Sequence, residues 1–248
     1  MKNILIISDV ISSLEETLIF CLKENDYTVF SKPNIFFEGF NDYLLKNKID
    51  VLILNRLYGK FRKKEAEKLA EVNVKKTIIL ENAKDIYIGN SKPPFSVYNP
   101  FKPKNRKSKE IKYSEDLIKQ KENYVIFRIS EVYGPHVNSG LIHELFSKNK
   151  ITLFKGEHDF LYEGDFIHAV EVALKFDAIG IFDIANGEAQ DMNKVIELVN
   201  KYRENKIVVR WRRKRETVSC LQSFQFYKWN PIVSLNCGLR AINNKQRS

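Results

Sequence analysis

Tyr124-Val125-Ile126-Phe127-Arg128-Ile129-Ser130-Glu131-Val132-Tyr133-Gly134-Pro135 opens as an apolar run of strand type and closes on a Gly-Pro pair. The pair makes a rigid turn at the strand's end, because proline fixes its own φ and glycine accepts conformations that other residues avoid. Just upstream, Ile111 to Ile118 repeats its apolar residues at helical spacing, so this strand follows a helix. The same alternation runs back to the start of the chain. Ile4 to Ile7 is a short β-branched strand, Leu14, Leu18, Ile19 and Leu22 return with helical period, and Tyr27 to Phe30 is a second strand. Phe40 to Leu45 is amphipathic, Asp50 to Leu54 is a third strand, Lys60 to Leu69 is a helical pattern and Thr77 to Leu80 is a fourth strand. Strands that alternate with helices imply crossover units and an α/β fold, with a parallel sheet covered on both faces.

Between Gly89 and Arg106 stand Pro93, Pro94, Pro100 and Pro103 without helical or strand period, which predicts a long irregular loop. Beyond Pro135 the elements shorten. Leu141 to Phe146, Val170 to Phe176 and Val195 to Tyr202 read as helices, and Ile151 to Phe154, Gly180 to Ile184 and Ile207 to Trp211 as strands. The expected division is 1–134 as the sheet-forming core and 135–248 as a mixed segment. Part of that segment, Ala173 to Ile184, returns to the main sheet, and the rest forms a small C-terminal lobe.

A chain of 248 residues with 44% hydrophobic and 12% aromatic residues has the material for one sizeable core. Cys21, Cys220 and Cys237 are odd in number, far apart and in no CxxC pair, so they suggest reduced thiols rather than a disulfide framework or a metal site. The opening apolar run is interrupted by Asp9, too early for a secretory core, and nothing approaches the roughly 20 apolar residues of a spanning helix. A soluble, cytoplasmic protein with no membrane contact is expected. The net charge of +10 is concentrated in Lys60 to Lys64, Lys102 to Lys112 and Arg210 to Arg215, which can attract nucleic acid, an acidic membrane surface or a phosphate-bearing small molecule, or can be the solvated loops of a lysine-rich protein.

Four segments of the second half carry a family resemblance. Arg128 to Pro135 resembles R-x-x-x-V-Y-G-P, and Gly164-Asp165-Phe166-Ile167-His168-Ala169-Val170-Glu171-Val172-Ala173 resembles R-D-F-I-H-V-x-D-V-A. Gly180 to Glu188 resembles G-x-Y-N-I-A-x-G-E, and Trp229 to Leu239 resembles G-W-x-P-x-x-S-L-x-x-G-L. In this order they resemble the NAD-dependent epimerase/dehydratase family, the nucleotide-sugar-modifying branch of the extended short-chain dehydrogenases. The resemblance implies a Rossmann-type parallel sheet with helices on both faces and a C-terminal substrate lobe. Read for packing alone, Phe166 and Ile167 belong in a core, His168 is a hydrogen-bonded structural histidine, and Trp229 and Pro231 cap the small lobe.

The first half departs from that pattern. The family's G-x-x-G-x-x-G, laid over the first strand and helix, falls on Ser8, Ile11 and Leu14, and no glycine precedes Gly39. Glycines matter there because a Cβ keeps the pyrophosphate from the backbone at the helix N-terminus. Ser8, Ser12 and Ser13 are what remains for a cofactor. The family's catalytic tyrosine stands four residues before a lysine that lowers its pKa. Here Lys112 would have Ser108 in that place, and Lys109 would have Asn105. Tyr98 and Tyr113 are nearby, but neither has a lysine four residues on. The supporting hydroxyl residue is absent from Glu81 to Ile86. For substrate, the resemblance implies Glu131, Tyr133 and Arg213, the last through charge-assisted bonds to a diphosphate.

Three readings follow. A degenerate member that has lost redox catalysis, kept as a binding or structural partner, accounts for the missing glycines, tyrosine and serine together. An active enzyme with a divergent site would need NAD(P). A nucleic-acid-associated protein rests on charge alone, with no binding motif, and stands last. The resemblance implies a nucleotide-sugar ligand and leaves open a homodimer or a partner enzyme.

Overall fold

The computed structural model describes residues 2–10, 12–59, 63–87, 93–176, 178–215, 217–218, 220, 226–227 and 229–247. The first half alternates as expected: β1 (Asn3–Ile7), α1 (Ser13–Glu24), β2 (Thr28–Lys32), α2 (Phe40–Lys46), β3 (Val51–Asn55), α3 (Lys63–Glu71) and β4 (Lys76–Asn82). A short α4 (Ala83–Tyr87) follows, then α5 (Arg106–Ile118) and β5 (Tyr124–Ile129). The described part of the proline-rich loop, 93–105, holds no helix or strand, and residues 88–92 lie outside the described set.

Next come β6 (Glu131–Tyr133), α6 (Gly140–Ser147), β7 (Lys150–Lys155), β8 (Glu157–His158) and β9 (Phe160–Tyr162). The chain continues through α7 (Glu163–Lys175), β10 (Gly180–Ile184), β11 (Gln190–Asp191), α8 (Met192–Asn200), β12 (Val208–Arg215) and α9 (Leu235–Arg247). The main sheet is parallel, in the order β10-β5-β4-β3-β1-β2. This is a Rossmann-type α/β fold, as the sequence implies.

The alternation of side chains in β1 shows why the sheet is covered twice. Ile4 and Ile6 face Leu14, Leu18 and Leu22 of α1 and Phe166, Ala169, Val170 and Ala173 of α7. Leu5 and Ile7 face Phe40 and Leu44 of α2, Leu69 of α3 and Ile118 of α5. Successive residues of a strand point to opposite faces, so a continuous apolar run that forms a strand is buried on both sides. The lobe has its own core, in which Ile142, Leu145, Leu153, Phe160, Val195 and Leu239 meet. We propose the 1–134 and 135–248 division for the folded chain as well, with α7 and β10 returning from the second part to the sheet.

Two packing expectations are corrected. His168 is exposed on α7, because a helix buries one stripe and positions 166, 167, 169 and 170 take it. Trp229 is 2% exposed within the core that α1 and α7 share with the sheet, not at the lobe, and its indole N–H donates to the Asp165 carbonyl at 3.1 Å. The helix over Val170 to Phe176 begins earlier, at Glu163, so the Gly164-Asp165-Phe166 stretch forms its first turn.

Candidate functional site

In an open α/β sheet a ligand binds outside the carboxyl ends of the strands, where the strand order reverses. Here that point lies between β1 and β3, since β2 continues to one side and β3 to the other. The sequence delivers Ser8, Asp9 and Val10 from β1, and Asn55, Arg56 and Leu57 from β3. These residues hold each other. Arg56 is 4% exposed, with Nη1 3.5 Å from Asp9 Oδ1 and Nη2 on the Glu65 carboxylate of α3. Asn55 Nδ2 donates to Glu15 Oε2 at 2.9 Å, and the Ser8 hydroxyl donates to the Val10 carbonyl at 2.8 Å. A Cβ built on Gly59 would stand 2.1 Å from Asp9 Oδ1, so the segment after β3 is folded down onto Asp9.

This crevice does not fit a dinucleotide. The Glu15 N–H, one of the donors at the start of α1, is already taken by the Ser12 hydroxyl at 3.2 Å. Glu15 and Glu16 stand in that first turn, where the helix dipole favours negative charge and the protein has supplied its own. Two carboxylates, Asp9 and Glu65, flank the Arg56 guanidinium, and a third, Glu15, is held by Asn55, so a diphosphate would meet like charge. Leu14 is 2% exposed and belongs to the core, while Ile11 lies outside the described residues.

A second polar group sits at the ends of β4, β5 and β10. Arg128 forks onto Glu115, Nε to Oε1 at 2.8 Å and Nη2 to Oε2 at 2.7 Å, and its Nη1 donates to the Tyr87 hydroxyl at 3.0 Å. Tyr87 in turn donates to Asp183 Oδ1 at 2.7 Å. Burial pushes Asp183 up to about 7, and holds Glu81 well above the usual carboxylate range, with the Glu115 charge adding to it. Both Glu81 carboxyl oxygens are buried and make no hydrogen bond among the described residues. Where the resemblance would have a hydroxyl residue, the chain therefore carries a buried acid.

The open space lies beside these groups, between the sheet ends and the lobe. It is a cavity of about 370 Å³ lined by Tyr58, Lys84, Glu131, Thr152, His158 and Asp159, among others. Asp159 is buried and accepts from the Asn186 and Gly187 N–H groups at 2.9 and 2.8 Å. Burial still pushes it up to about 6. Tyr58 is pushed up to about 12, again by burial. The Glu131 carboxylate accepts from the Leu141 N–H and so ties β6 to the start of α6. Glu144 also lines the space and pairs with Lys148 at 2.9 Å. At the wall, the Arg212 guanidinium carbon lies 5.0 Å from the centroid of the Phe154 ring, itself part of the lining.

The sequence-derived site residues separate. Ser8 and Ser12 lie at the crevice with their hydroxyls engaged, and Ser13 faces a different groove with Pro135 and His136. Glu131 reaches the cavity. Tyr133 does not: it is 2% exposed, packed edge-on against Phe160 and Tyr162, with its hydroxyl 3.4 Å from the Ser234 carbonyl. Arg213 is exposed, in the irregular part of the ladder between β12 and β7. Lys112 pairs with Asp116 along α5, and Lys109 is exposed on the same helix. Ser108, at the tyrosine position, is 3% exposed and forms the capping box of α5 with Asn105. Tyr113 donates to Glu67 at 3.0 Å. Sequence reasoning missed Arg56, Lys84, His158 and Asp159. For Arg56 the signal is a charged residue set directly after an apolar strand, Leu54-Asn55-Arg56; the others carry no such signal.

No family model matches the chain, and no curated protein does. Solved structures do. MoeE5 in complex with UDP-glucuronic acid and NAD superposes with a TM-score of 0.84 at 12% identity, over 99% of both chains. The chain has the fold of these enzymes. dTDP-glucose 4,6-dehydratase from Bacillus anthracis, in complex with NAD, gives 0.83 at 13% identity, over 100% of this chain and 97% of that one. UDP-glucose 4-epimerase from Thermotoga maritima, with UDP-glucose, gives 0.82 at 17% identity, over 99% and 98%. Among the described residues no helix is long and apolar enough to cross a membrane, and no group of three or more His, Cys, Asp or Glu could hold a metal ion.

Proposed function

We propose that the chain is a degenerate relative of the nucleotide-sugar epimerases and dehydratases, which binds an activated sugar without NAD-dependent catalysis and serves as a binding or structural partner in the cytoplasm. The observation that carries this reading is the Asp9–Arg56–Glu65 set, which fills the crevice where a dinucleotide would lie, while the neighbouring cavity stays open. Glu131, Asp159 and Tyr58 offer acceptors and a hydroxyl to a sugar's own hydroxyls. Lys84, in the cavity lining, and Arg212 and Arg213, on the strand beside Phe154, supply positive charge for a diphosphate.

Thermal melting with added ligand tests this. UDP-glucose or dTDP-glucose at a hundredfold excess over Kd stabilises a native protein by about 2.7 kcal/mol, and NAD or NADH is expected to give no shift at all. A melting shift with NAD, or stoichiometric NAD released on denaturation and detected by mass spectrometry, would favour an active enzyme instead.

A further inference from the structure

The basic runs Lys60 to Lys64 and Lys102 to Lys112 are far apart in sequence, and the fold brings their described parts together. α3 and α5 pack side by side: the Tyr113 hydroxyl bonds Glu67, and Lys63 Nζ stands 4.4 Å from the centre of the Tyr113 ring. Between the starts of the two helices lies a shallow cavity of about 450 Å³, whose lining includes Lys63, Lys104, Arg106, Lys109, Glu110 and Tyr113. Four cations line it, with Glu110 in the lining and Glu67 beside it. Arg106 pairs with Glu110 at 2.9 Å and Lys63 with Glu67 at 3.6 Å, but Lys104 and Lys109 have no ion-pair partner among the described residues. Unpaired like charges repel one another, and an incoming polyanion relieves that repulsion.

We propose that this face binds the phosphate backbone of a single-stranded nucleic acid, a function beyond the activated-sugar reading, at a cavity that shares no lining residue with the first. Phe101 to Lys104 alternate half-buried and exposed, so Lys102 and Lys104 project outward together. In extended chain residues two apart have Cα atoms about 7 Å from each other, a spacing comparable to that of successive phosphates. Upstream, Tyr98 is 75% exposed and offers a ring on which an unpaired base can stack. An acidic peptide has charge alone to hold it here, since Pro100 and Pro103 have no N–H to give to main-chain pairing. A membrane surface needs apolar anchors beside the cations, and Phe101 and Pro103 are half-buried.

Fluorescence anisotropy of a dye-labelled oligo(U) against the full chain tests the proposal. Contact with about three or four phosphates gives a slope of log affinity on log salt of about −2 to −3. Charge reversal of the two unpaired lysines, Lys104→Glu with Lys109→Glu, is expected to weaken binding at least tenfold and make the slope shallower by about 1.4. Tyr98→Ala is expected to weaken it about tenfold while leaving the slope unchanged. All three residues are exposed, so the melting temperature is expected to hold. Absence of binding at low salt, affinity indifferent to salt, variants that bind like the parent, or equal binding of a duplex or of polyglutamate would each overturn the proposal.

Discussion

Arg56 and Glu65 form a buried ion pair across the top of the sheet, with the arginine at the end of β3 and the glutamate in the first turn of α3; their side chains are 3% and 2% exposed. The pair ties the end of β3, beside the switch point, to the start of α3. Removing one member of such a pair leaves the other charge buried and uncompensated, which costs far more than the pair contributes. Arg56→Ala is therefore expected to destabilise the chain by about 3–5 kcal/mol in denaturant unfolding. Asp9 is the looser partner, 3.5 Å away and 15% exposed, and Asp9→Asn is expected to cost less than about 1 kcal/mol.

The raised acids give the protein an unusual pH response. Asp159 and Asp183 are pushed up to about 6 and about 7 by burial, from an unfolded value near 3.9. Between those values the native state holds protons that the unfolded chain has released, so stability falls as pH rises through the window from about 4 to about 7. Glu81 acts in the same direction. Melting temperatures measured from pH 4.5 to 7.5 are expected to fall by a few degrees from this source. Asp183→Asn, which keeps an acceptor for Tyr87, is expected to flatten the profile and raise stability at pH 7.5. A profile that rises with pH in the parent and is unchanged in the variant would contradict it.

The sheet was legible because its strands are continuous apolar runs. Ile4 to Ile7, Val51 to Leu54 and Val125 to Phe127 admit one placement, buried on both faces, and the helices between them fix the parallel order. The pieces that escaped, α4, β6, β8, β9, β11 and α9, are short or polar, and tertiary contacts rather than periodicity hold them. α9 is an example: its buried Leu239 and Ile242 are isolated among asparagine, lysine and arginine. For the site, the missing glycines were visible in sequence, but what replaced them was not. Arg56, Asp9 and Glu65 come from three separate stretches, and only the fold shows that they meet. The motif position of Tyr133 likewise says nothing of the Phe160 and Tyr162 rings packed against it.

Gly59 reports on how tightly the crevice is shut. An added Cβ would stand 2.1 Å from Asp9 Oδ1 and 3.6 Å from Arg56 Nη1, so Gly59→Ala can be accommodated only if the Asp9 side chain or the segment itself moves. The expected cost is about 1–3 kcal/mol, typical of overpacking. In an Asp9→Ala background the obstruction is gone, and the same change is expected to cost several tenths at most. The double-mutant cycle thus reads a coupling of about 1 kcal/mol or more, and an additive result would mean that Gly59 does not rest on Asp9.

Thr152 separates the cavity from the rest of the protein as a ligand site. It is exposed on β7, it lines the 370 Å³ space, and its neighbours Ile151 and Leu153, rather than Thr152 itself, are buried in the lobe core. Thr152→Trp adds a large ring directly into the opening without displacing a core residue. A site of this volume accepts little more than one sugar nucleotide's reacting end, so the ring competes with it for the same space. The variant is expected to bind UDP-glucose or dTDP-glucose at least tenfold more weakly by isothermal titration calorimetry, with unfolding free energy within about 0.5 kcal/mol of the parent, as for a surface change. Because Thr152 is remote from Lys104 and Lys109 in sequence and lines a different cavity, oligonucleotide binding is expected to be unaffected. Undiminished sugar-nucleotide binding in Thr152→Trp would move the ligand elsewhere on the molecule.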